Sequence, residues 1–332
     1  MRRFGVWLGR LILVLAVVAA GLWVWPRDVA IAPPGFDAAA LPADLDGWLA
    51  TREAVLGDIT PGVEKRIVWA GAVGAKTPLA LVYVHGFSAT SEETRPVPDK
   101  VAAALGANLY FTRLAGHGRG GPAMAQVSAD DWMVDFAESL GIGARIGDRV
   151  VVMATSTGAA VTLAGLATPA LRAAMPAADR VAGVVMVSPN FRLASGLNNG
   201  ILDLPGAPSF VPVLIGAEQA WTPRNEAHGR YWTTRYPTQA LFPMAHVMRA
   251  ARAADPGAVK VPLLLLNSPD DVVISPEAAA DVVARWGEMV ARESWPWREG
   301  MDEEAHVIAG DIRSPGMTQA AVDRITDWMG GL

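Results

Sequence analysis

At 332 residues, 52% hydrophobic and 18% charged, the chain is long enough to bury a large core and too apolar to be disordered. Its net charge of −5, with no run of Lys or Arg, argues against a nucleic-acid partner. The absence of cysteine excludes disulfides, thiolate catalysis and Cys-based zinc or iron–sulfur sites, and says nothing about compartment.

The first stretch, "MRRFGVWLGRLILVLAVVAAGLWVWP", places Arg2, Arg3 and Arg10 ahead of an uncharged run from Leu11 to Trp25. As a helix that run rises only about 22 Å, short of a hydrocarbon layer about 30 Å thick. Counted from Phe4, with Arg10 snorkelling to the interface, it is long enough to cross. Residues 1–25 therefore predict a transmembrane signal anchor with the body of the chain outside the cytoplasm, on the periplasmic side. A cleaved signal peptide, cut within Val18 to Gly21 and leaving a secreted protein, is the second reading, and a buried helix the third. Residues 26–60 carry Pro26, Pro33, Pro34 and Pro42, with Pro61 just beyond, and read as a tether with little regular structure.

From about residue 61 strands and helices alternate. "RIVWAG" and "PLALVYV" predict a hairpin or paired strands, and "ANLYFTRL" another strand. "SADDWMVDFAESL" predicts a helix that starts on Ser128 as N-cap with acids in its first turn. "DRVVVMAT", "RVAGVVMVS" and "VKVPLLLLN" are apolar without alternation, as in strands buried on both faces. The chain closes with a helix from about Met317, with Val322, Ile325 and Met329 on one face. The fold class is α/β, a mostly parallel sheet with helices on both faces. Residues 191–258 separate two strands by more than a crossover needs, which predicts an inserted lid within the domain 61–332.

A relaxed elbow pattern, small-x-Ser-x-Gly, occurs at Ala154 to Gly158 and again at Ala137 to Gly141. Ser139 follows a helical stretch and has no strand-to-helix turn to sit on. Ser156 follows the apolar run Val150 to Met153 and precedes the helix-forming "GAAVTLAGLA", so it is the candidate nucleophile. A serine hydroxyl needs a histidine to take its proton and a carboxylate to orient that histidine. Downstream, Asp270 and Asp271 lie just past a strand, and His306 lies in a loop before the last helix. The loop His85-Gly86-Phe87 ends another strand, and the amides of Phe87 and Thr157 are candidates to hold an oxyanion.

On these residues the chain resembles the α/β-hydrolase superfamily, and more narrowly its monoacylglycerol-lipase-like and bacterial carboxylesterase members. The likeness runs from about residue 63 to the end. It is carried by "HGF" at 85, "RLAGHGRG" at 113, "DDW" at 130, "ATSTG" at 154, "NSPDDVVISP" at 267 and "AHVIAGD" at 305. It implies Ser156 as nucleophile, His306 as base and Asp271 as its orienter, with Asp270 the alternative acid. Ala154 and Ser268 stand where the family usually has glycine. The expected activity is hydrolysis of carboxylic esters with apolar acyl groups, as in a carboxylesterase or monoacylglycerol-type lipase. The same residues would also serve an amidase, lactonase, C–C hydrolase or acyltransferase. A non-catalytic, membrane-anchored binding module is the reading from another class.

His85, Gly86, Trp221, Phe242 and Met244 are candidates for the substrate pocket, although lid aromatics and methionines are more often core than contact. His85 is read as support for the oxyanion loop, His117 as a turn near the pocket, and His228 and His246 as incidental. The five histidines are scattered without a His-x-x-x-His pair, and no Gly-x-Gly-x-x-Gly follows a strand. No metal, cofactor or obligate protein partner is expected; the partners are a small apolar ester and, through the N-terminal helix, a membrane.

Overall fold

The computed structural model describes residues 2–24 and 29–332. Strands β1 (Arg66–Val68), β2 (Thr77–Val84), β3 (Asn108–Phe111), β4 (Gly147–Thr155) and β5 (Val181–Val187) belong to one sheet. After β5 the chain forms a small separate pair, β6 (Glu218–Ala220) and β7 (Arg235–Pro237), then rejoins the sheet as β8 (Leu263–Asn267) and β9 (Val290–Ser294). The resulting seven-stranded order is β1-β3-β2-β4-β5-β8-β9, parallel throughout except for β1. β2, β4, β5 and β8 are the unbroken apolar runs, and they take the central positions where both faces are covered.

The helices in chain order are α1 (Arg2–Val24), α2 (Leu45–Ala54), α3 (Val97–Leu105), α4 (Gly121–Met124), α5 (Ala129–Ile146), α6 (Thr157–Ala167) and α7 (Pro169–Ala173). Then come α8 (Gly196–Leu202), α9 (Ala207–Ile215), α10 (Glu226–Tyr231), α11 (Leu241–Ala253), α12 (Pro276–Val283) and α13 (Thr318–Gly330). One face of the sheet is covered by α5, α6, α11 and α12, with Trp132, Phe136 and Leu163 in its core. The other is covered by α3 and α13, through Val101, Ile325 and Met329 against Leu81 and Met153. Ser128 caps α5 as expected: its hydroxyl accepts from the Asp131 amide, and the Asp131 carboxylate accepts from the Ser128 amide.

Several expectations are corrected. β1 does not pair with β2; it runs antiparallel to β3 at the sheet edge. β2 is buried on both faces and takes parallel neighbours on each side, which leaves the short β1 no place beside it. The supposed tether is packed structure. Between Pro42 and Pro61 the chain is free of proline, and Asp44 caps α2 through the Gly47 amide while Leu45 and Leu49 enter the core. Upstream, Ile31 is buried and the Ala32 amide bonds Asp130.

The last part of the predicted lid is not lid. α11 packs against α6, and Met244, Val247 and Met248 belong to the main core, because the crossover into β8 needs a covering helix there. The membrane placement is overturned. Among the described residues no helix is long and apolar enough to cross a membrane. Arg10 interrupts α1 in its second to third turn, and the anchor expected to reach Trp25 ends outside the described residues. The periplasmic or secreted location drawn from that segment falls with it.

Candidate active site

Ser156 stands at the turn between β4 and α6, with φ 51° and ψ −117°, a left-handed conformation that costs a serine energy. The turn is held from both sides: the Ser156 amide donates to Val187 O at 2.9 Å and its carbonyl accepts from the Asn190 amide at 3.0 Å. Gly158 is required by contact, since a Cβ there would lie 2.4 Å from Val84 O and 2.6 Å from His85 O. Ala154, the departure from glycine, is buried in β4 between Val84 and Met186. Ser139 lies inside α5 and donates its hydroxyl to Asp135 O, as expected of the pattern's other occurrence.

His306 Nε2 lies 3.0 Å from Ser156 Oγ, and His306 Nδ1 lies 2.8 Å from Asp271 Oδ2. A carboxylate only accepts, so Nδ1 carries the proton and the Nε2 lone pair faces the serine hydroxyl. Asp271 is fixed in turn, its Oδ1 accepting from the amides of Val273 at 2.8 Å and Ile274 at 3.0 Å. Asp270 turns away and accepts from the Trp297 amide through Oδ2. Burial disfavours the imidazolium of His306, but Asp271, Glu93 and Asp302 outweigh it and hold its pKa above the ordinary value. Asp302 also frames the loop, accepting from the amides of Glu304, His306 and Val307. Ser268, where glycine was the usual residue, is buried and accepts from the Asp270 amide.

Gly86 packs directly against Ser156: a Cβ on it would lie 2.9 Å from Ser156 Cβ. Ser88, at φ 60°, ends this loop and accepts from the Thr233 amide of the insertion at 2.7 Å. The Phe87 ring makes edge contacts with His117 and Tyr236. Thr157 is the first residue of α6, so its amide has no intrahelical acceptor. His85 is buried, accepts from the Leu114 amide through Nε2, and burial drives its pKa well below the ordinary value. It is a neutral prop. His117 is likewise buried, which lowers its pKa to about 4.

Ser156 and His306 open on a cavity of about 750 Å³. Of the pocket residues expected from sequence, Trp221 and Met244 line it. His85 and Gly86 do not line it, although Phe87 and Ser88 of the same loop do, and Phe242 packs instead with Leu202, Val211 and Ala245 in the insertion's own small core. Leu193, Ile201, Ile215 and Leu241 of the insertion give the lining apolar surface beside the insertion's own Gln219 and Arg224, while Asp302, Glu304 and Arg313 from the His306 loop add charge. Asn190 and Glu93 line the cavity without any sequence signal, and His228, expected to be incidental, lines it as well. Asn190 is buried beside Thr157 with its Oδ1 unpartnered. His228 sits between Trp221, tilted by 38° to it, and Trp232, edge-on to it, with ring centroids 4.7 Å apart in each pair. Glu93 is buried beside Gly86.

Among solved structures the chain is similar to one of two metagenome-derived lipolytic enzymes, LipS and LipT, at 20% identity and a TM-score of 0.64, covering 82% of this chain and 100% of that one. It is similar to a soluble variant of monoglyceride lipase from Saccharomyces cerevisiae, at 11% identity and a TM-score of 0.59, covering 81% and 90%. Monoacylglycerol lipase from Paleococcus ferrophilus follows at 16% identity and a TM-score of 0.54, covering 80% and 98%. At these identities the likeness is one of fold. No curated protein matches the chain. Residues 81–311 match the alpha/beta hydrolase family, from the middle of β2 through the His306 loop, and on that match the chain belongs to this family and is an enzyme of its class.

Proposed function

We propose that the protein is a serine hydrolase that cleaves carboxylic esters with apolar acyl groups through an acyl-enzyme. The observation that carries this reading is the hydrogen-bonded series Ser156–His306–Asp271 opening on the cavity. His306 Nε2 takes the Ser156 proton as Oγ attacks the ester carbonyl, and the amides of Phe87 and Thr157 stabilise the oxyanion. The imidazolium, paired with Asp271, then gives that proton to the departing alkoxide. Water repeats the sequence on the acyl-enzyme, releasing the acid and restoring the serine hydroxyl. The apolar lining residues of the insertion favour an acyl chain, and the charged lining residues Asp302, Glu304 and Arg313 favour a polar alcohol. The fold neighbours named as lipases make esters the first substrates to test.

The test is labelling with a fluorophosphonate probe, mapped by mass spectrometry, followed by p-nitrophenyl esters of rising chain length. The expected result is modification of Ser156 alone and turnover abolished in Ser156→Ala. Unchanged turnover in that variant overturns the reading.

A further inference from the structure

Glu93 closes the short turn Ser91–Glu93 that follows the His85-Gly86-Phe87 loop. Its side chain is buried, and the groups that act on its charge are the Gly86 amide, His306 and the Tyr83 hydroxyl, with no lysine or arginine among them. A buried carboxylate without a cation is costly, and such groups concentrate where chemistry uses them. Burial pushes its pKa up to about 7.

The contacts of this carboxylate reach the His85-Gly86-Phe87 loop and, through Tyr83, the residue before Ser156. Oε2 accepts from the Gly86 amide at 2.7 Å and from the Tyr83 hydroxyl at 3.2 Å. That hydroxyl lies 3.2 Å from Thr155 Oγ1, one residue before Ser156. A Cβ on Gly86 would lie 2.7 Å from Glu93 Oε1 and 2.9 Å from Ser156 Cβ, so carboxylate and nucleophile close on the same backbone point. The His306 loop rests on the same turn: a Cβ on Gly310 would lie 2.6 Å from Thr94 Cα, and the Asp311 amide donates to Arg95 O at 3.0 Å.

We infer that Glu93 is a positioning residue for acyl transfer: it ties the Gly86–Phe87 backbone to the Ser156 turn and supports the imidazolium of His306 by its charge. The inference rests on the reading of Ser156 and His306 as nucleophile and base. A glutamine could accept the same two hydrogen bonds, so the carboxylate is distinguished by its charge. The groups facing His306 are Asp271, Glu93 and Asp302, and those facing Glu93 are His306 and Tyr83; the two buried groups titrate as a pair.

The experiment compares the full chain with Glu93→Gln, Glu93→Ala and Tyr83→Phe, measuring kcat and KM on p-nitrophenyl butyrate between about pH 5 and pH 9, together with Tm. Glu93→Gln is expected to keep its Tm within a few degrees and its KM within about twofold, with kcat down about tenfold. Its acid limb should move to lower pH by roughly half a unit, because His306 loses a negative neighbour and its pKa falls. Glu93→Ala should fall about 100-fold in kcat, so that glutamine rescues part of the loss. A wild-type kcat and acid limb in Glu93→Gln overturns the inference, as do equal losses in both Glu93 variants tracking a fallen Tm. If neither Glu93 variant folds, Tyr83→Phe decides: a several-fold drop in kcat at constant KM supports the tie, and an unchanged kcat overturns it. Failure of the wild type to label at Ser156 would instead remove the underlying reading before any Glu93 variant is compared.

Discussion

The two nitrogens of His306 have different partners and so different tasks. Nδ1 donates to Asp271, which leaves Nε2 free to take a proton from Ser156. An asparagine at 271 would turn an amide N–H toward Nδ1 or lose the bond, and either outcome favours the wrong tautomer. Asp271→Asn is therefore expected to lower kcat about 10³- to 10⁴-fold, while Asp270→Asn, whose carboxylate accepts from the Trp297 amide and turns away from His306, stays within about twofold. The pH profile carries a sign as well. In the proposed mechanism His306 works only when neutral, and its carboxylate neighbours raise its pKa, so activity is expected to be lost as pH falls through a value above the usual 6.5 of imidazole. A wild-type acid limb at or below about pH 6 in kcat/KM would contradict that environment. At this scale the sequence was legible where chemistry forces an order of residue types, as with Ser156, Asp271 and His306. Glu93 and Asn190 were illegible: a buried carboxylate in a turn and an asparagine past a strand belong to no periodic or spaced pattern, and only the fold brings them to the serine.

The elbow is a property of β4 and α6 together. A left-handed Ser156 lets the chain reverse from strand to helix within one residue, and the close approach of α6 to the end of β2 is possible only because residue 158 lacks a side chain. In Gly158→Ala the new methyl meets two backbone carbonyls, which cannot rotate away as a side chain could. The expected cost is about 3 kcal/mol in urea unfolding, with kcat falling as Ser156 is displaced. Gly71→Ala, with nothing within 4 Å of its added Cβ, is the control and should stay within about 0.5 kcal/mol. The same contrast explains which elements could be read in advance. β4, β5 and β8 announce themselves as apolar runs because both their faces are covered. β1 did not reveal its partner, since three residues at an edge carry too little pattern to choose between β2 and β3. α11 was hidden inside a long insertion because its apolar face, read without the sheet beneath it, looks the same as a lid.

The whole molecule depends on a segment that its prolines disguise. α2 carries Glu53 onto Arg113, the first residue of the Arg113–Gly120 loop, through two bonds of 2.7 and 2.8 Å. Arg113 in turn donates to His117 O, beneath Phe87, and Glu53 also accepts from the Lys65 amide. Lys65 bonds Asp135 and Glu138 of α5, so residues 44–65 brace the floor under the His85-Gly86-Phe87 loop. Burial opposes the Glu53 carboxylate, but its bonds to Arg113 outweigh that and hold its pKa below the usual range. Its contribution to stability is thus present above the ordinary carboxylate pKa and is lost as pH falls through the lower, folded value. Glu53→Ala would leave a buried guanidinium without its anion, at a cost of about 3–5 kcal/mol. A true tether would tolerate the same change within about 0.5 kcal/mol, so urea unfolding at neutral pH separates the two descriptions. Because Arg113 would be freed to swing from beneath His117, kcat on the ester probe should fall together with the midpoint, linking a residue in the proline-flanked segment to Ser156 through the loops at the carboxyl ends of β2 and β3.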